Sequence, residues 1–437
     1  MFTVRYYLCD ILFTKQDPET DSQSGKRDEV RMEKDKKQEK WVQPRHRVIR
    51  KILGGTLGVY TRLRYHARIE PFREEGDRQY LVLMNHQTPF DQFFVSISFR
   101  QPVYYMATED IFSLGWVSSL IRWLVAPIPI KKQAMDIGAV RTCIRVAGEG
   151  GTIGIAPEGN RTYSGKTEYM NPSIAFLAKK LKLPIALYRI EGGYGTQPRW
   201  SDCIRRGTMH CYVSEVLEPE QYLSMTNDEL AARIAKGLYV NEGVADEAFR
   251  HKRKAQYLER AVYVCPYCGL STFESDGNFV ACKKCGRRIE YTEKKELRGV
   301  GFDFPYRFMT EWYDAQCDYV NALDTADYTE TPLYRETASV FEVLLKKRKL
   351  PLMENATVAL YGDRLVLGEG SDGEICLPFS EVSALSVLGR NKANVYHGEK
   401  VYQLKGSKRF NALKYVHIYY RYKNLTRGES DGKFLGL

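Results

Sequence analysis

Five short apolar runs, at 79–84, 103–107, 152–156, 184–190 and 209–216, alternate with longer segments of helical periodicity at 136–147, 172–181 and 227–240. This alternation predicts an α/β domain with flanking helices, each boundary good to about two to four residues. Thr226-Asn227-Asp228-Glu229 has the form of a capping box and supports the start of the last helix. The domain is expected to end near residue 245.

A chain of 437 residues needs more than one such unit. The predicted organisation is a tether over 1–44, the α/β domain over 45–245, and a basic helix with a cysteine knot over 246–302. A helical connector over 303–350 and a small basic β-rich domain over 351–437 follow. From 15 to 40 nearly every side chain is charged, polar, Gly or Pro, too little apolar surface to offset the entropy of ordering. Over 45–66 basic residues flank an apolar middle, a make-up that suits an interfacial helix or a packing helix with a wet face. Gly54, Gly55 and Gly58 weaken that helix in either case.

Lys and Arg number 65 against 54 Asp and Glu, which favours nucleic acid, anionic lipid or phosphorylated substrates without choosing among them. Nowhere do about 18 uncharged apolar residues run together, so membrane contact is expected to be peripheral. The apolar stretch at 2–13 is broken by Arg5 and Asp10 and lacks a cleavage site, so no export signal is read. Ten cysteines, four of them in two close pairs, fit metal binding in a reducing compartment, and a cytoplasmic location is predicted.

Asn85-His86-Gln87-Thr88-Pro89-Phe90-Asp91 lies where the first apolar run ends. Thr88 as N-cap and Pro89 at N1 predict a helix start there, with Asp91 at N3. At that position a carboxylate either caps backbone donors, as in a Thr-x-x-Asp capping box, or holds the His86 imidazole by its second nitrogen. His86 by itself also reads as a satisfied buried imidazole. A second segment, Gly154-Ile155-Ala156-Pro157-Glu158-Gly159-Asn160-Arg161-Thr162, again follows an apolar run, and ligands in open α/β folds gather at strand ends. Its residue types suit a phosphate: Gly159 permits close backbone approach and Arg161 offers a planar donor fork. Gly148-Glu149-Gly150-Gly151 lacks the G-x-G-x-x-G spacing and reads as a turn.

Together, in this order and about 70 residues apart, the two segments resemble the phospholipid and glycerol acyltransferase family, whose pattern is His-x4-Asp followed by Pro-Glu-Gly-x-Arg. The likeness covers about residues 45 to 242, including Leu183-Pro184-Ile185-Ala186-Leu187, and this stretch resembles the 1-acylglycerol-3-phosphate acyltransferases of that family. It implies a domain with a mixed sheet, His86 as general base, Asp91 as its orienter, and Glu158, Gly159 and Arg161 as the acceptor-binding turn. It also implies an acyl thioester donor, acyl-CoA or acyl-ACP, and a lysophospholipid acceptor. Where the family carries a Lys after the second strand and an Arg after the third, this chain has Ala107-Thr108-Glu109 and Ile130-Lys131-Lys132. Lys131 or Lys132 stands in for the Arg as a phosphate contact, or the two are a solvated pair.

The chemistry agrees with those roles. An alcohol is a poor nucleophile until its proton has a destination, and imidazole, with a free pKa of about 6.5, accepts one near neutrality. A carboxylate partner fixes the tautomer and stabilises the imidazolium. No Gly-x-Ser-x-Gly elbow is present, so direct transfer without a covalent enzyme intermediate is expected.

Cys265-Pro266-Tyr267-Cys268-Gly269 and Cys282-Lys283-Lys284-Cys285-Gly286 are two C-x-x-C-G knuckles 13 residues apart, the spacing of a zinc ribbon. Four thiolates leave no open coordination position, so the zinc is expected to be structural. Beyond them, paired alternating segments such as 357–361 and 364–367 read as β-hairpins, and 411–420 as a closing helix, a pattern resembling a pleckstrin-homology-like fold. From Arg390 to Arg427 ten Lys or Arg face one acid, Glu399, which suits an anionic membrane surface or a solvated basic face. The expectation is a peripheral protein at the inner face of the membrane, making phosphatidate from 1-acylglycerol 3-phosphate, with no nucleic acid partner. Acylation of another lysolipid or of glycerol 3-phosphate is the alternative acceptor chemistry. The alternative class is an inactive zinc-ribbon regulatory protein.

Overall fold

Strands that are apolar at every position leave no face for water, and the first sheet is built around two of them. β2 (Leu81–Met84) and β5 (Thr152–Ile155) are buried throughout. They sit with β1 (Ala67–Ile69), β3 (Val103–Thr108), β4 (Ile128–Ile130), β6 (Ile185–Glu191) and β7 (Met209–Leu217) in the order β1-β7-β6-β2-β5-β3-β4. All neighbours are parallel except β6 and β7, so the sheet is mixed. The computed structural model describes residues 40–108, 111–112, 116–130, 137–244, 247–344, 349–427 and 433–436.

Side chains alternate across these strands, so each face needs its own cover. Leu81, Leu83, Ile153, Ile185 and Leu187 pack on one face with apolar residues of α4 (Ile137–Gly148), α5 (Ser173–Leu181) and α6 (Asn227–Leu238). Val82, Met84, Ala186 and Tyr188 pack on the other with Tyr65 of α1 (Pro44–Tyr65) and Phe94 and Val95 of α2 (Asp91–Ser98). α3 (Trp116–Val125) follows β3 in the chain. The capping box at Thr226 and Glu229 forms as its sequence predicts.

The second half is β-rich. β8 (Val264–Cys265) and β9 (Gly269–Leu270) form a small hairpin beside the antiparallel sheet of β10 (Phe273–Asp276), β11 (Phe279–Cys282), β12 (Arg288–Tyr291) and β13 (Leu297–Gly299). After α7 (Met309–Ala322) come β14 (Tyr334–Glu342), β15 (Leu350–Leu360), β16 (Arg364–Leu367), β17 (Ile375–Pro378), β18 (Val382–Leu388), β19 (Lys392–His397) and β20 (Lys400–Gly406). Their antiparallel order is β17-β16-β15-β14-β20-β19-β18, which leaves β18 at an edge, and α8 (Leu413–Arg427) closes the unit. One buried cluster runs from Tyr163, Tyr194 and Trp200 of the α/β half through Val280 and Trp312 to Leu385 and Ile418.

Several elements differ from expectation for identifiable reasons. α2 begins at Asp91 and not at Pro89, because Pro89 and Phe90 form a turn that lets the Asp91 carboxylate reach back to the amides before it. The basic connector after residue 245 is not an α-helix among its described residues; it holds only a short turn of 3₁₀-helix at Leu258–Arg260. Tertiary partners override its helical composition: Arg250 exchanges backbone hydrogen bonds with Arg206, and Tyr257 adopts φ 64°. The buried Arg260 guanidinium donates to Asp202 and to the Trp200 carbonyl. Tyr334–Glu342 lies in the stretch expected to be helical, yet it is a strand with Tyr334, Ala338 and Val340 turned inward.

The basic tail also differs from a plain solvated face. Lys414 is buried against Glu336 at 2.7 Å, Arg409 pairs with Glu259, Arg390 with Asp202, and Arg421 donates to the Leu323 carbonyl.

Candidate active site

His86 stands at the carboxyl end of β2 and is held on three sides. Its Nδ1 lies 2.8 Å from Oδ2 of Asp91, which is fully buried and also accepts from the amides of Gln87 and Thr88 and from the Thr88 hydroxyl. Asp91 thus performs both tasks its position allows, orienting an imidazole and satisfying the amides ahead of a helix. The His86 main-chain N–H donates to Glu158 Oε1 at 2.7 Å, and the His86 carbonyl accepts from the Thr162 amide at 3.2 Å. With Nδ1 occupied, Nε2 is the nitrogen left for chemistry, and the side chain keeps 24% of its surface exposed to a cavity.

Glu158 lines the cavity, and beside the acceptor contact that the resemblance implies it has a bracing task. Its second oxygen accepts from the Glu168 amide at 3.0 Å, so both carboxyl oxygens are spent on backbone N–H groups. Burial pushes this carboxyl up to about 8, opposed by those two hydrogen bonds. Gly159 adopts φ +67°, and no protein atom lies within 4 Å of where a Cβ would sit, so its requirement is the left-handed turn more than close packing. Arg161 lines the cavity, has no carboxylate partner among the described residues, and carries a buried Nη1 without a hydrogen bond. Burial, with Arg199 and Arg390 nearby, pushes its guanidinium down to about 10. Lys131 and Lys132 lie outside the described residues.

The cavity has a volume of about 1350 Å³. Its apolar portion is lined by Ile49 and Leu53 of α1, Phe93 and Ile97 of α2, and Ile121 and Leu124 of α3. Arg161, Arg199, and Ser386 and Val387 of β18 also line the cavity. Arg199 and β18 carry no motif that the sequence could have offered. Arg199 donates to the Arg161 carbonyl at 2.9 Å and to that of Val387 at 3.3 Å, a residue 188 positions downstream.

The four knuckle cysteines form a second cluster, their sulfurs all within 4.8 Å of one another. Cys265 and Cys285 are 3.8 Å apart and Cys268 and Cys282 3.6 Å, close to the edge of about 3.8 Å of a tetrahedron whose sulfurs stand about 2.3 Å from a central zinc. Gly269 and Gly286 adopt φ +71° and +73°, the reason each knuckle ends in glycine. The donor set fits a structural metal and leaves no position for a substrate.

Residues 63–189 match the family model described as Acyltransferase, a segment that holds both motifs and is shorter than the 45–242 suggested by resemblance. The chain is 21% identical over 136 residues to a 1-acyl-sn-glycerol-3-phosphate acyltransferase of Bacillus subtilis (strain 168), covering 31% of this chain and 65% of that relative, slightly less than two thirds of its length. Among solved structures, the 1-acyl-sn-glycerophosphate acyltransferase of Thermotoga maritima aligns with a TM-score of 0.37 and 20% identity, over 44% of this chain and 76% of that one.

A carboxyl whose folded pKa of about 8 lies above its ordinary 4.5 favours folding most below the ordinary value, and loses that contribution as pH rises through about 8. Calorimetry from pH 5 to 9 should therefore show a steeper fall of melting temperature for wild type than for Glu158→Gln, which has no proton to lose. The variant itself should be less stable by about 1–3 kcal/mol, because its amide nitrogen faces one of the two N–H donors. Parallel profiles would remove Glu158 as the titrating brace.

Proposed function

We propose that the chain is an O-acyltransferase that moves an acyl group from a thioester of coenzyme A or acyl carrier protein to the free hydroxyl of 1-acylglycerol 3-phosphate. The observation that carries this reading is the His86–Asp91 pair at the wall of a cavity that also reaches an unpaired arginine. His86 Nε2 takes the hydroxyl proton as the oxygen attacks the thioester carbonyl. The carbon–sulfur bond then breaks, and the imidazolium returns the proton to the departing thiolate. Asp91 holds the imidazole by Nδ1 throughout, and the apolar lining of the cavity accommodates the hydrocarbon chain. The family match over 63–189 supports the chemistry, and the activity named for the Bacillus subtilis relative supports the acceptor.

We read the four thiolates as a structural zinc site in a ribbon, and the terminal sheet with its closing helix as pleckstrin-homology-like. We further propose peripheral attachment to the inner face of the membrane. Among the described residues no helix is long and apolar enough to cross a membrane. Trp116, 77% exposed, stands with Leu120 and Trp123 on α3, and Ile52, Val59 and Leu63 are exposed on α1, whose last turn carries Arg62 and Arg64. Aromatic and aliphatic side chains beside basic residues match the boundary layer of an anionic bilayer.

Labelled acyl thioester offered with 1-acylglycerol 3-phosphate in liposomes should give phosphatidate, and His86→Ala should lower turnover by about 10²- to 10⁴-fold with the fold retained. Near wild-type activity in that variant would sink the mechanism, and no transfer to any lysolipid would favour a regulatory protein. In flotation with anionic vesicles, Trp116→Ser/Trp123→Ser should bind about tenfold more weakly, and unchanged binding would move the contact elsewhere. Purified protein should carry one zinc per chain, and Cys282→Ser should lose it together with much of the thermal stability. A metal-free wild type of full stability would contradict the zinc reading.

A further inference from the structure

The terminal sheet holds a second arginine at the wall of the cavity. Arg199 is 3% exposed, and its two terminal nitrogens donate only to carbonyls, of Arg161 and of Val387 on the edge strand β18. Its Nε is buried without a partner, and its guanidinium lies 4.5 Å from the Tyr163 ring centroid. Neither Arg161 nor Arg199 forms an ion pair with any described carboxylate. The nearby Asp202 is shared by Arg260 at 2.7 Å and Arg390 at 2.9 Å. Asp91, which acts on Arg161 electrostatically, is already committed to His86 and its neighbouring amides. Burying two uncompensated cations side by side is costly unless something anionic joins them.

We propose that Arg199 is a phosphate-binding residue: the phosphomonoester of the acceptor lies between the Arg161 and Arg199 guanidiniums, and β18, through the Val387 carbonyl, holds Arg199 in place for it. This rests on the acyltransferase reading above and deepens it by naming the group that selects the acceptor. Two planar forks suit a phosphate dianion, which offers three terminal oxygens, and they discriminate against an acceptor that lacks the phosphate. The terminal sheet is in this way part of the acceptor site, although it lies outside the matched segment.

The test uses the full chain with two acceptors of the same acyl chain, 1-acylglycerol 3-phosphate and 1-acylglycerol. Arg199→Gln should raise KM for the phosphorylated acceptor by about 10- to 100-fold while kcat changes by less than about threefold, and should leave KM for the thioester unchanged. Preference for the phosphorylated acceptor should fall in proportion. Arg199→Lys, which keeps the charge and loses the fork, should rise by about 3- to 10-fold, and it carries the same comparison if the glutamine variant does not fold. Wild-type KM and wild-type preference in both variants would overturn the proposal. A second measurement is independent of turnover: glycerol 3-phosphate should raise the melting temperature of wild type and not that of Arg199→Lys or Arg199→Gln. Protection that is equal in all three would also overturn it. If wild type transfers no acyl group yet shows this Arg199-dependent protection, the anion site stands and the acyltransferase reading alone fails.

Discussion

Two strand ends 72 residues apart in sequence become one site through a single carboxyl group. Glu158 accepts from the His86 amide with one oxygen and from the Glu168 amide with the other, and the Thr162 amide completes the clamp on the His86 carbonyl. β2 and β5 are adjacent and parallel, so both turns emerge on the same edge of the sheet, but adjacency alone would leave them free to shift. An imidazole fixed by its Nδ1 is only as steady as its own backbone. The buried brace supplies that steadiness at the cost of desolvating a carboxyl, and the two N–H donors offset part of the cost.

The same desolvation acts with opposite sign on the cations. Arg161 and Arg199 meet across a main-chain carbonyl and not across a carboxylate, so neither is held in an ion pair with a described carboxylate while they sit largely out of water. The acid that would neutralise them is absent from the described surroundings, and Asp91 is fully engaged with His86 and two amides. An unfavourable electrostatic corner beside an oriented imidazole is the kind of local cost that binding sites retain, because a ligand of the right charge relieves it.

Local pattern made much of this legible. The apolar runs that became β2, β5 and β6, the capped start of α6 and the hairpin of β15 and β16 all reflect side-chain period and turn chemistry, which act over a few residues. Where long-range partners decide, the pattern failed. The connector after residue 245 has a helical composition, yet its arginines bond to Arg206, Asp202 and the Trp200 carbonyl, none of them near in sequence. β14 is an interior strand, completed by β15 and β20, and its pattern is masked because Glu336 shares the face of buried Tyr334 and Ala338, where Lys414 pairs with it. Within the site, His86, Asp91 and the glycine turn carried their own signals, whereas the bracing task of Glu158 required knowing that two turns meet.

Arg199 was the least legible of all, and the reason also explains how the halves of the chain depend on each other. Its orientation comes from a carbonyl on an edge strand, where the ladder leaves backbone acceptors open. β18 keeps its place because one buried cluster runs from Trp200 past Val280 of the cysteine-bearing sheet to Leu385. The knot formed by the knuckles is thus packed between the acyltransferase-like half and the sheet that walls its cavity. A metal holding four thiolates would stabilise more than the ribbon itself, since any loosening of β10–β13 propagates through shared packing to the strand that aims Arg199.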